Sequence, residues 1–133
     1  MTVSHRRYVL VVDDLIDNLT LMQCVLDLAG YLVSTVTTGT AAIATVQRAP
    51  PCLILLDVMM PDLSGIEVTR QLRQEQELPL IPILLLTADH EITLEQALEI
   101  GANGVLHKPL DLDEVLSKVE AYCRFNEQAF NRD

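Results

Sequence analysis

Five polar side chains stand directly after apolar segments of the chain, and their types suit one kind of chemistry. They are Asp13, Asp14, Asp57, Thr87 and Lys108. Three carboxylates brought together would repel one another by about 1 to 4 kcal/mol per pair at 4 Å. A lysine would offset part of that repulsion, and so would Mg²⁺, which favours sparse carboxylate sites completed by water and phosphate oxygens. Such a set suits phosphoryl transfer to an aspartate, with Asp57 as the nucleophile.

Apolar segments must place these side chains at one edge of a sheet. Continuous apolar runs of four to eight residues bounded by breakers are typical of strands buried on both faces. The runs at 8–12, 52–56 and 81–86 have this form, whereas 32–36 is interrupted by polar residues and 105–106 is short. We therefore expect the first, third and fourth strands at the centre of the sheet and the other two at its edges.

Helical patterns alternate with these strands. The predicted helices cover roughly 17–29, 40–47, 64–74, 91–100 and 112–123. Ser64 and Glu67 have the spacing of a capping box, and Gly30 and Gly101 suit the position just after a helix end. The alternation predicts an α/β fold: a doubly wound, five-stranded parallel sheet of flavodoxin-like order 2-1-3-4-5 in a (βα)5 three-layer sandwich. All strands of such a sheet end at one edge, where ligands bind.

Length and composition limit the class of protein. Half of the 133 residues are hydrophobic, so we expect one globular domain over 1–133, with its core at about 8–125 and flexible ends at 1–7 and 126–133. The net charge of −10 disfavours direct binding to nucleic-acid phosphates. No apolar run approaches the roughly 20 residues that span a bilayer, so we expect no membrane association and a cytoplasmic location.

The cysteines give no sign of a metal site. Cys24, Cys52 and Cys123 are odd in number and lack the spacing of zinc ligands. All three fall within apolar segments or a helical stripe. We therefore expect small core residues in a reducing compartment.

Short motifs at the five predicted strand ends together resemble one family. The motifs are Val11-Val12-Asp13-Asp14, Leu55-Leu56-Asp57-Val58-Met59-Met60-Pro61, Ser64-Gly65, Leu86-Thr87-Ala88, Gly101-Ala102-Asn103-Gly104 and Lys108-Pro109. Each motif is weak alone, but their order on successive strand ends is specific. Over roughly residues 8–123 the chain is similar to a receiver domain of a two-component response regulator, of the stand-alone CheY-like kind.

The resemblance implies a Mg²⁺ site and a phosphoryl acceptor. Asp57 would accept a phosphoryl group from the phosphohistidine of a sensor histidine kinase or a histidine phosphotransfer protein. Asp14 and Asp57 would bind the cation directly, Asp13 through water, and Met59 through its main-chain carbonyl. Mn²⁺ would be able to replace Mg²⁺ at this site.

The resemblance also assigns the remaining polar residues and the output. Thr87 would hydrogen-bond a phosphoryl oxygen and Lys108 would pair with the phosphoryl group, so that both act with Asp57 in catalysis. The peptide between Lys108 and Pro109 would be cis. The domain would catalyse only its own phosphorylation and dephosphorylation, rather than act as an enzyme on another substrate. Phosphorylation would switch its binding to a downstream protein.

Two departures from the family pattern bear on the output. Val105 stands three residues before the lysine, where the family usually has Tyr or Phe as a rotamer switch coupled to the threonine. The charged pattern of receivers that dimerise to bind DNA is also not clear in this chain. We therefore expect a stand-alone receiver that is either a phosphorelay shuttle or a regulator of a protein target. The sequence leaves the oligomeric state open, including a homodimer.

Three other classes of protein fit parts of the pattern. A haloacid-dehalogenase-type phosphatase also uses an aspartate at a strand end with Mg²⁺, but it needs a second acid where this chain has Met59. A flavodoxin-like FMN binder needs a Ser/Thr/Gly-rich phosphate loop where this chain has Asp13 and Asp14. A receiver-like docking module that works without phosphorylation is the main alternative, favoured by Val105. Such a module usually lacks part of the acidic triad or the lysine, all of which this chain retains.

Overall fold

Strands and helices alternate along the chain, as the sequence predicts. The computed structural model describes residues 8–88 and 92–130, with side chains at 8–88 and 92–123. In these ranges the strands are β1 (Tyr8–Val12), β2 (Leu32–Val36), β3 (Leu53–Asp57), β4 (Ile83–Thr87) and β5 (Gly104–His107). The helices are α1 (Ile16–Leu28), α2 (Gly39–Arg48), α3 (Gly65–Gln74), α4 (Leu94–Glu99) and α5 (Leu112–Phe130).

The strands form a single parallel sheet in the order β2-β1-β3-β4-β5. The central strand β3 pairs with β1 on one side and β4 on the other, so that Leu55 lies between Val11 and Leu84. Every residue of β1, β3 and β4 is buried, whereas β2 is partly exposed along its length. The predicted flavodoxin-like order, with the second and fifth strands at the edges, is confirmed.

Apolar side chains pack into two cores, one on each face of the sheet. Successive strand residues point to opposite faces, so neighbouring residues of one strand belong to different cores. Val11 and Leu55 pack with α1 and α5, whereas Val12 and Leu56 pack with α2, α3 and α4. Burying one such side chain stabilises the fold by roughly 1.5–3 kcal/mol, and the two cores hold the strand ends in fixed positions. The predicted three-layer sandwich is confirmed.

Local sequence signals set several element boundaries. The Ser64 hydroxyl accepts a hydrogen bond from the main-chain N–H of Glu67, and the Glu67 carboxylate accepts one from the N–H of Ser64. This is the capping box predicted for α3. Gly30 and Gly101 follow α1 and α4 with φ of 94° and 106°, a backbone region that side-chain-bearing residues rarely adopt. Both predicted helix-end glycines are therefore confirmed.

Two helix boundaries differ from the sequence prediction by more than one residue. Helix α4 begins at Leu94, because Thr93 and Gln96 form a capping box that fixes its start; the predicted start at 91 lies outside the described residues. Helix α5 continues to Phe130, past the predicted core limit at about 125. Of the ends that we predicted to be flexible, 1–7 and 126–133, residues 126–130 belong to α5, and 1–7 and 131–133 lie outside the described residues. Among the residues described, no helix is both long and apolar enough to cross a bilayer.

The expectation that the cysteines are core residues is confirmed for Cys52 and Cys123, which are buried, and wrong for Cys24. Cys52 and Cys123 form a disulfide, with 5.3 Å between their Cα atoms, because α5 packs across β3 and brings together two residues 71 positions apart. Cys24 is exposed, because the buried stripe of α1 runs along a different side of the helix. Disulfides are rare in reducing compartments, so this bond counts against the cytoplasmic location, which stays a prediction.

Candidate functional site

The five side chains predicted to do chemistry meet at one edge of the sheet. Asp13 and Asp14 follow β1, Asp57 ends β3, Thr87 ends β4 and Lys108 follows β5. One carboxylate oxygen from each of the three aspartates lies within 4.8 Å of the other two, a spacing that suits one shared cation. The parallel direction of all five strands produces this convergence from residues that are far apart in the chain.

Asp57 is a buried carboxylate with a charged partner. It is 3% exposed, and the Lys108 ammonium lies 3.1 Å from its Oδ1. Burial raises the pKa of Asp57 above its ordinary value; the hydrogen bond from Lys108 lowers it, the charge of Asp13 raises it, and the main-chain N–H of Met59 lowers it. The raised pKa means that the protein alone does not fully compensate the charge of Asp57. A divalent cation beside it would supply what is missing.

Asp13 and Asp14 differ in how much of each carboxylate remains free for a ligand. Asp13 is 2% exposed; its Oδ1 accepts from the main-chain N–H of Leu15, and its Oδ2 accepts from the Asn18 amide, both at 3.0 Å. The Lys108 ammonium lies 3.8 Å from the same Oδ2. Asp14 is exposed at the rim. The predicted roles, direct binding by Asp14 and water-mediated binding by Asp13, suit this difference and stay predictions.

Thr87 and Val105 occupy the two positions where the resemblance predicts a threonine coupled to an aromatic rotamer switch. Thr87 is fully buried, and its hydroxyl donates to the main-chain carbonyl of Ala88 at 2.9 Å. Val105 is partly buried and packs against the core that lies between the sheet and α2, α3 and α4. At position 105, where the family usually has Tyr or Phe, the chain therefore has a packed aliphatic side chain. The predicted cis peptide between Lys108 and Pro109 is confirmed.

The loop between β3 and α3 is folded tightly against the end of β3. The main-chain N–H of Val58 donates to the carbonyl of Leu86 at 3.0 Å, and the N–H of Gly65 donates to the carbonyl of Val58 at 2.9 Å. A Cβ atom on Gly65 would lie 2.4 Å from the carbonyl oxygen of Asp57. The Met59 side chain is 61% exposed on this loop, which suits the predicted role of its main-chain carbonyl rather than its thioether.

Replacing Gly65 by Ala is expected to lower the free energy of unfolding by roughly 1–3 kcal/mol, because the new methyl group would clash with main-chain atoms that cannot move aside. Urea denaturation would measure the change. Gly104→Ala is the matched control, because its Cβ would meet one side-chain atom of Leu84 at 3.2 Å and no main-chain atom. Equal stability of the two variants would contradict the close approach at Gly65.

Two contacts around the site were missed by the sequence analysis. Asn18 lies five residues after Asp13 in the first turn of α1, and that spacing is a local signal that could have indicated their hydrogen bond. Asp62 binds Gly39 and Thr40, which lie 23 and 22 residues earlier in the chain. No local pattern indicates the second contact, since it depends on how α2 packs beside the loop after β3.

Fold and site together define a class of protein: a (βα)5 sandwich with an acidic pocket around a buried aspartate at the end of its central strand. The family model described as the response regulator receiver domain matches residues 9–120 of the chain. The chain therefore belongs to the response regulator receiver family.

One curated relative and two solved structures place the chain within this family. It is 43% identical over 122 residues to the alkaline phosphatase synthesis transcriptional regulatory protein PhoP of Bacillus subtilis (strain 168), covering 91% of this chain and 50% of that protein. The chain thus spans about half the length of this relative. The receiver domain of sensor histidine kinase PA1611 from Pseudomonas aeruginosa PAO1 is 30% identical with a TM-score of 0.79, covering 88% of this chain and 97% of that one.

The second solved structure is the receiver domain of Saccharomyces cerevisiae Ssk1, crystallised with the histidine phosphotransfer signaling protein Ypd1. It is 25% identical with a TM-score of 0.83, and the match covers 94% of each chain. The PA1611 domain holds a magnesium ion in its active site cleft. That ion and the cluster of Asp13, Asp14 and Asp57 both support divalent-cation binding at this edge of the sheet.

Proposed function

We propose that the chain accepts a phosphoryl group on Asp57 in a Mg²⁺-dependent reaction. The observation that carries this proposal is the placement of Asp57: it is buried, lies 3.1 Å from the Lys108 ammonium, and shares a cluster of three carboxylates. Asp14, Asp57 and the main-chain carbonyl of Met59 would bind the cation directly, and Asp13 would bind it through water.

The proposed chemistry is the transfer of a phosphoryl group from a histidine nitrogen to a carboxylate oxygen. An oxygen of Asp57 attacks phosphorus, a P–O bond forms as the P–N bond breaks, and the histidine nitrogen leaves with the electron pair. Bound Mg²⁺ supplies charge neutralisation for the phosphoryl oxygens. The Lys108 ammonium pairs with one phosphoryl oxygen, and the Thr87 hydroxyl leaves the Ala88 carbonyl to donate to another.

The proposed phosphodonor is a sensor histidine kinase or a histidine phosphotransfer protein. The complex of the Ssk1 receiver domain with Ypd1 supports this class of partner. Phosphorylation would then switch binding to a downstream protein, and the chain would catalyse only its own phosphorylation and dephosphorylation. The net charge of −10 supports a protein target over nucleic acid. The proposal includes a single domain over 1–133 and the replacement of Mg²⁺ by Mn²⁺. It is compatible with a homodimer.

Intact mass spectrometry after incubation with acetyl phosphate tests the proposal. With Mg²⁺ or Mn²⁺ present, the protein is expected to gain the mass of one phosphoryl group, because a divalent cation is needed to bring the anionic donor to the acidic pocket. Excess EDTA is expected to abolish the gain. If no adduct forms even under rapid quench, and beryllofluoride does not bind, the acceptor function is wrong and a docking module that works without phosphorylation takes its place.

A further inference from the structure

Asp62 connects the loop after β3 to the start of helix α2. Its Oδ1 accepts from the main-chain N–H of Gly39 at 3.0 Å; its Oδ2 accepts from the N–H of Thr40 at 2.9 Å and from the Thr40 hydroxyl at 2.7 Å. The bonds from Thr40 and Gly39 hold the pKa of Asp62 well below its ordinary value, so this carboxylate is ionised at neutral pH. Amide groups at a helix N-terminus are good partners for an ionised carboxylate.

The contact between this loop and α2 extends beyond the carboxylate. A Cβ atom on Gly39 would lie 2.8 Å from the Cβ of Leu63 and 3.0 Å from its carbonyl oxygen. The loop main chain therefore lies directly against the first residue of α2. Asp62 fixes the loop at a point where the two segments already touch.

The same loop carries the main-chain groups that face the acceptor. The N–H of Met59 hydrogen-bonds the Asp57 carboxylate, and the Met59 carbonyl is the predicted cation ligand. Val58 at the start of the loop is hydrogen-bonded to β4, and Gly65 at its end is hydrogen-bonded to Val58. Asp62 lies between these two attachments, three residues after Met59, so it limits how far the exposed part of the loop can move.

A role in capping α2 does not by itself explain the hydrogen bonds that Asp62 makes. The hydroxyl of Thr38 already caps this helix by accepting from the main-chain N–H of Ala41 at 3.0 Å. What Asp62 adds is a connection between α2 and a loop that lies beside the acceptor. Residues that orient metal ligands from outside the coordination sphere commonly change metal affinity by 10–100-fold.

We propose that Asp62 is a positioning residue of the acceptor site, which holds the main chain of Met59 at Asp57 and the bound cation by tying its loop to α2. This inference rests on the proposed function, since it assumes that the cation binds beside Asp57. It predicts that loss of the Asp62 carboxylate weakens Mg²⁺ binding although Asp62 does not touch the cation.

Isothermal titration of Mg²⁺ into wild type, Asp62→Ala and Thr38→Ala tests the inference on the full chain. Both variants remove a hydrogen-bond acceptor from the start of α2, but only Asp62→Ala detaches the loop. The dissociation constant for Mg²⁺ is expected to rise about tenfold in Asp62→Ala and to stay at the wild-type value in Thr38→Ala. Asp62→Asn keeps one acceptor oxygen, so its dissociation constant for Mg²⁺ is expected to lie between those of wild type and Asp62→Ala. This variant serves if Asp62→Ala does not fold.

The outcomes separate this inference from the proposed function. If wild type binds Mg²⁺ and takes up a phosphoryl group, but Asp62→Ala and Asp62→Asn keep the wild-type dissociation constant, the positioning role is wrong and the proposed function stands. An equal loss of Mg²⁺ affinity in Thr38→Ala would also overturn the positioning role, because the effect would then follow from the stability of α2. If wild type itself neither binds Mg²⁺ nor takes up phosphoryl, the proposed function fails and the inference fails with it.

Discussion

Replacing Asp57 by Asn is expected to abolish phosphoryl uptake from acetyl phosphate completely. The amide has nearly the shape of the carboxylate, so it fits the same buried position at the end of β3. It has no anionic oxygen to attack phosphorus, and it removes one of the three negative charges that would bind Mg²⁺. Intact mass spectrometry in the presence of Mg²⁺ would measure the loss against wild type.

The folded state of the Asn variant is expected to be at least as stable as that of wild type. Burial raises the pKa of Asp57, so its ionised form is less favourable in the folded protein than in the unfolded chain, and this cost appears once the pH rises above the ordinary pKa of an aspartate. Asn carries no such charge, and the Lys108 ammonium still has an ionic partner in Asp13, whose Oδ2 lies 3.8 Å away. A thermal midpoint equal to or above that of wild type would show that lost uptake is not lost folding.

Asp111→Asn is the matched control for this experiment. Asp111 is an exposed carboxylate outside the acidic cluster, and it accepts hydrogen bonds from the first turn of α5. This variant is expected to take up one phosphoryl group as wild type does. A Mg²⁺-dependent adduct that persisted in the Asp57→Asn chain would place the acceptor on another residue and contradict the assignment of Asp57.

Reducing the Cys52–Cys123 disulfide is expected to lower the free energy of unfolding by about 4 kcal/mol. The bridge links residues 71 positions apart, and closing a loop of that length removes much of the conformational entropy of the unfolded chain. Urea denaturation with and without a phosphine reductant would measure the difference. Loss of that much stability is a large part of the 5–15 kcal/mol typical of a small domain.

The measurement is best made on a Cys24→Ser chain. Cys24 is exposed, so replacing it prevents bonds between chains without changing either core. A Cys52→Ala change in the same background would remove the bridge permanently, and its stability is expected to be low and insensitive to the reductant. Equal stability of the oxidised and reduced Cys24→Ser chain would contradict a stabilising role for the bridge.

The strands and the candidate site were predictable because their signals are local. An apolar run such as 8–12 or 52–56 indicates a buried strand from its own composition, and the residue after the run then marks a strand end. Once the alternation of strands and helices predicts a parallel sheet, the positions of Asp13, Asp57 and Lys108 at one edge follow from strand direction alone. The capping box of α3 was predictable for the same reason, since both of its residues lie within one helical turn.

Only the tertiary structure decided the contacts between elements that are distant in the chain. The positions of the cysteines in apolar segments indicated core residues and gave no sign of a bridge, because the pairing of Cys52 with Cys123 depends on where α5 crosses β3. Asp62 reads as a loop residue until α2 places Gly39 beside it. Sequence patterns specify what each element buries, whereas the distance between two side chains on different elements depends on how the whole core packs.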